Sequence, residues 1–154
     1  MRDPNHPAPT QRRIAVLLRY GLASLYAWVV ADRLGVLGAA DNPAVVWGDF
    51  DAFLEYTATL NPWAPRALSD ALGYAVTVVE AGLAVQLALG YRQRLAFAAS
   101  ASLSLVFVTS LVLFAGLAQT PGFIAFTVCV GAVSAWLFRN ATPMARLRPS
   151  GVAQ

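Results

Sequence analysis

The chain has 154 residues, of which 58% are hydrophobic and only 12% charged, with a mean hydropathy of +0.57. Soluble domains carry about 25% charged residues, so this composition excludes an ordinary soluble domain and points to a chain embedded in a bilayer. The net charge of +3 is small, every one of the eleven basic residues is Arg, and no zinc-finger, basic-helix or base-stacking pattern accompanies them, so nucleic acid is not an expected partner.

The single Cys129 lies in an apolar run and reads as a small hydrophobe. One Cys forms neither an internal disulfide nor a CxxC pair, which excludes a dithiol mechanism within the chain. His6 stands alone in a Pro-rich stretch, so no metal site is expected there.

In chain order, residues 1–13 read as a disordered cytoplasmic tail ending in Arg12-Arg13, directly before an apolar run. Residues 14–31 form the first hydrophobic span, with Arg19 as its one charge. A cleaved signal peptide is a rival reading of this segment. Arg19 in the apolar stretch, the bulk of Trp28 near the cut and the later spans count against it.

Residues 32–70 form a long loop with six acids against Arg33 and Arg66. Within it Asn42-Pro43 reads as a helix start, with Asn as N-cap and Pro in the first turn. Val46, Phe50, Phe53 and Leu54 then share one face, and Asn61-Pro62 ends the pattern. The segment is too short and too acidic to span, so it is expected to lie on the membrane surface or cap the bundle. Trp47 and Trp63 suit interfacial depth. The face bearing Asp51 and Glu55 is expected to be solvated.

Residues 71–90 form the second span, which Pro65 or Ser69 can start early. Residues 95–117 form an uncharged third span. Its Ala96, Ser100 and Ser104, spaced by four, suit close helix packing. Residues 121–138 form the fourth, where Gly131 and Ala135 repeat that spacing. Residues 139–154 are a second polar tail. Eight of the eleven Arg fall in the two tails and the 91–94 turn. The positive-inside rule therefore predicts cytoplasmic termini and an extracytoplasmic loop between spans one and two. The Arg-only basic content suggests a bacterial source. The fold expectation is all-α: a four-transmembrane-helix antiparallel bundle, with an amphipathic extracytoplasmic helix between helices 1 and 2.

Glu80 is the residue that asks for an explanation. A carboxylate at the centre of a membrane helix costs at least ~2.5 kcal/mol on insertion scales. Arg19 is the expected counter-charge, Thr77 shares the face of Glu80, and Gln86 lies about one and a half turns further along. Glu80 either fixes helix packing, binds a ligand headgroup such as a quinone, relays a proton or faces a partner subunit. No second acid or His stands near it to build a relay. No catalytic residue and no metal ligand set are predicted.

Several of these residues carry a resemblance. Arg19-Tyr20-Gly21 opens the first helix, and an aromatic segment Phe50–Tyr56 sits in the outer loop. Glu80-Ala81-Gly82-Leu83 lies in the second helix, with Leu89-Gly90 and the basic turn Arg92–Arg94 after it. Over residues 19–138 this resembles the small DoxX-like membrane proteins, which include the MauE-type proteins. Gly82 here follows Glu80 by two residues, where the family's usual spacing is four. The resemblance implies a four-helix bundle in the bacterial inner membrane, close to redox chemistry. Some members serve thiosulfate:quinone oxidoreductase, and the MauE-type proteins assist maturation of an amine dehydrogenase. For this chain it implies a non-catalytic accessory or scaffold subunit with a redox partner protein or a second copy. The alternatives are a quinone-interacting oxidoreductase subunit, with quinone the one cofactor implied, and a small-solute carrier.

Overall fold

The computed structural model describes residues 9–43, 45–116 and 121–141. His6, the 118–120 turn and residues 142–154 of the C-terminal tail lie outside the described residues. These residues form five α-helices: α1 (Pro9–Arg33), α2 (Phe50–Leu60), α3 (Arg66–Leu89), α4 (Gln93–Ser110) and α5 (Pro121–Asn140). A π-helical segment, Leu111–Ala115, continues α4. Four stretches, Thr10–Arg33, Arg66–Leu89, Gln93–Ala115 and Pro121–Asn140, are long and apolar enough to cross a membrane. The protein is an all-α, multi-pass membrane protein, with α2 as a short cap between the first two spans.

Local chemistry sets the boundaries. α3 starts after Pro65 and stops at Gly90, which adopts φ +71°. The N–H of Tyr91 bonds the Gln86 carbonyl and that of Gly90 bonds Leu87, the paired bonds of a Schellman stop. α1 begins at Pro9, inside the stretch read as tail, and runs two residues past Ala31 to Arg33. α2 begins only at Phe50, capped by Asp49, whose carboxylate accepts from the Ala52 N–H at 2.7 Å. The helix start expected at Asn42-Pro43 is therefore corrected. The backbone N–H groups of Val46, Trp47 and Gly48 turn onto the Asp32 carboxylate, and Gly48 sits at φ +71°. A segment committed to wrapping Asp32 cannot also form a helical turn.

The helices pack mainly as two pairs, α1 with α3 and α4 with α5, while α3 and α4 touch sparingly. The core lies toward the Arg-rich end of the bundle, where Leu22 and Tyr26 meet Leu83, Leu87, Phe97 and Leu137. In lipid, helix association relies on close packing and hydrogen bonds more than on the hydrophobic effect. Small residues supply the close packing: Ala96 and Ser100 are fully buried, and a methyl group on Gly131 would lie 3.1 Å from Ser104 Cβ. α2 lies against α3 through Phe53 and Leu54, and a Cβ on Gly73 would meet Leu54 at 2.5 Å. Cys129 is exposed on the outside of α5 rather than in the core.

Candidate functional site beneath the cap helix

Toward the α2 end the two helix pairs part. The space between them is a cavity of about 410 Å³. Its walls come from the halves of α1, α3 and α4 nearest α2, from the π-helical segment, and from the start of α5; α2 closes one side. This is within the usual range of ligand pockets, about 300–1,000 Å³. Val79, Val106 and Phe126 line it and are also exposed on the bundle surface, so it opens toward lipid.

The polar wall centres on Glu80, which is 5% exposed and faces inward, as its place in the sequence suggests. Its partner is Arg33, not Arg19. One guanidinium nitrogen of Arg33 pairs with Glu80 Oε2 and donates to Thr77 Oγ1 at 3.2 Å. The guanidinium lies 3.8 Å from the centroid of the Phe53 ring, a cation–π contact with α2. Arg33 is 4% exposed, and its Nε–H has no hydrogen-bond partner.

Arg19 does something else. Its Nη1 donates to the Leu87 carbonyl at 2.8 Å, a second donor there beside the Gly90 N–H, and so braces the C-terminal stop of α3. A Cβ on Gly90 would lie 2.5 Å from that nitrogen, so Gly90 serves both its own turn and Arg19. Gln86 is half-buried and lines a separate shallow groove with Tyr91 and Arg92, away from Glu80. Of the three candidates from sequence, only Glu80 reaches the cavity.

Asp32, 1% exposed, lies beside this pair. Its carboxylate accepts from the N–H of Val46 at 3.1 Å and of Trp47 at 3.2 Å, with Gly48 at 3.4 Å. These charge-assisted bonds pin the loop and place Trp47 over the cavity. There its ring meets Tyr56 at 4.8 Å, Phe53 at 5.8 Å and Phe123 at 6.4 Å between centroids. The Tyr56 hydroxyl is buried without a partner, and burial pushes its pKa up, so it stays protonated.

A hydrogen-bond chain reaches the same wall from below. Ser134 Oγ donates to the Val130 carbonyl at 2.7 Å and lies 2.7 Å from Ser100 Oγ, which is 2.6 Å from the Tyr26 hydroxyl. Each hydroxyl has one proton. Ser134 spends its own on Val130, so Ser100 donates to Ser134 and Tyr26 donates to Ser100. Tyr26, which lines the cavity, therefore offers it an acceptor oxygen only.

Comparison of the chain with protein-family models, curated proteins and solved structures finds no match. The site is accordingly read from its own chemistry. It joins aromatic and aliphatic walls to acceptors at Tyr26 and Glu80, with two unpartnered donors, Arg33 Nε and the Tyr56 hydroxyl, buried just behind the wall. Among the described residues no group of three or more His, Cys, Asp or Glu could hold a metal ion.

Sequence reasoning missed Asp32 and Arg33. Both were assigned to the loop, because the apolar run ends at Ala31. The usable signal was an Asp-Arg pair within one helical turn of that end, since a long Arg side chain can reach inward from a span's terminus.

Proposed function

We propose that this protein is a quinone-interacting accessory subunit of a bacterial inner-membrane redox system, with both termini cytoplasmic. The observation that carries the reading is the cavity beneath α2, a largely apolar, aromatic-lined space with a few polar groups in its walls. A quinone ring stacks on aromatic walls, its carbonyl oxygens accept hydrogen bonds, and its isoprenoid tail leaves toward lipid. Arg33 Nε and the Tyr56 hydroxyl, unpartnered just behind the wall, are the donors an oxidised ring would draw on by a small turn of those side chains; Tyr26 and Glu80 supply acceptors for the hydroxyls of a quinol. The resemblance to DoxX-like proteins points the same way. The chain holds the quinone, and a redox partner protein supplies the electrons.

The orientation follows from eight Arg in the tails and the 91–94 turn. It places α2 and the cavity in the outer leaflet. The test is a titration of protein carrying Trp47 alone, with Trp28, Trp63 and Trp136 changed to Phe. A decyl-substituted benzoquinone should quench Trp47 saturably, and Tyr56→Phe should weaken that binding. Linear, unsaturable quenching equal to that of free tryptophan in the same micelles would refute the reading.

A further inference from the structure

An arginine in the wall of an apolar cavity ordinarily attracts carboxylate or phosphate heads. Here that charge is already spent. Glu80 takes the Arg33 guanidinium from within the protein, and Phe53 covers the guanidinium face. Asp32 adds a second buried carboxylate beside them. The three formal charges sum to −1, and Tyr26 turns lone pairs rather than a proton toward the same space. The rest of the lining carries no charge, its polar members being the neutral Tyr56, Thr57, Asn61, Ser104, Ser110 and Thr127, so a bound anion would meet carboxylates with no free cation to offset them.

We propose that Glu80 is a specificity-determining residue: it occupies Arg33 as a built-in carboxylate, so the cavity admits neutral acceptor-headed lipophiles and rejects anionic amphiphiles such as fatty acids. Discrimination of this kind works by repulsion from the wrong ligand as much as by attraction to the right one. The inference rests on the quinone reading and narrows it. It also converts to a gain of function: once Glu80 loses its charge the local sum rises from −1 to zero, Asp32 stays held by the loop N–H groups, and the Arg33 guanidinium is freed to pair with an incoming anion.

The experiment is displacement of the decyl-benzoquinone from Trp47-only protein by decanoate or by methyl decanoate, at pH 8 in dodecyl maltoside. The two competitors share a chain and differ in charge. On unaltered Glu80 protein the ester should displace quinone at least tenfold more effectively than the carboxylate. In Glu80→Gln the order should reverse, with decanoate gaining at least tenfold. In Arg33→Gln/Glu80→Gln the ester should lead again. Equal displacement by both competitors on Glu80 protein, or no displacement by either while quinone stays bound, overturns the inference. So does a folded Glu80→Gln protein that gains nothing for decanoate. Should Glu80→Gln fail to fold, the comparison on Glu80 protein decides alone. Absence of quinone binding at the outset refutes the underlying reading instead.

Discussion

The ion pair between α1 and α3 can be tested energetically, because the structure and the sequence name different partners for Glu80. Both Arg33 and Glu80 are about 5% exposed, so removing either leaves a buried charge without its counter-ion. Such a loss costs about 3–5 kcal/mol, whereas replacing both by apolar groups of similar volume is often neutral or better. At ~2–4 °C per kcal/mol for a chain of this size, Arg33→Met or Glu80→Leu alone should lower Tm by roughly 6–20 °C. The double variant should recover most of that, giving a coupling energy of about 3 kcal/mol. Arg19→Met should also destabilise, by about 1.5–3 kcal/mol, since a charged donor to the Leu87 carbonyl is lost. Its effect should add to that of Glu80→Leu within ~0.5 kcal/mol, as separate sites do. The assay is reversible unfolding by SDS titration in mixed micelles, followed by tryptophan fluorescence. Additivity between Arg33 and Glu80, or strong coupling between Arg19 and Glu80, would refute the assignment.

Asp32→Asn should cost about 2 kcal/mol by weakening three charge-assisted bonds, and should shift Trp47 emission to the red as the loop loosens; an unchanged spectrum would contradict its positioning role. Gly90→Ala should destabilise by at least ~1 kcal/mol from its positive φ alone, and more because the new methyl meets Arg19, which Arg19→Met in the same chain should partly relieve. Tyr26→Phe should cost about 1 kcal/mol by cutting the chain to Ser100 and Ser134, measured by the same SDS titration. A reporter enzyme active only in the cytoplasm should work when fused after Gln154; activity of a periplasmic reporter there would refute the proposed orientation.

The spans were legible in the sequence because apolar length is a strong signal: with the π-helical segment counted as part of α4, the four spanning helices begin and end within five residues of the expected limits. Ser100 and Ser104 fell where small-residue spacing put them, in the packed face of α4. The site was only half legible. Glu80 announced itself as a charge in an apolar run. Arg33 did not, because hydropathy marks where a run ends and not how far a long side chain reaches back from it. Asp32 was hidden for a different reason. Its role depends on backbone N–H groups fourteen to sixteen residues away, and no residue type there advertises them. Arg19 was assigned to the wrong acceptor because a backbone carbonyl at a helix end, able to take a second donor, leaves no mark in the sequence.

The central claim is that quinone sits beneath α2 against Arg33, Trp47 and Tyr56. Photolabelling of the protein with an azidoquinone in membranes, followed by peptide mapping, tests it most directly. Label should concentrate on the segment containing Trp47, Phe53 and Tyr56, compete with decyl-benzoquinone, and fall in Tyr56→Phe. Label confined to the groove at Gln86, Tyr91 and Arg92, or spread evenly over the lipid-facing surface, would contradict the account.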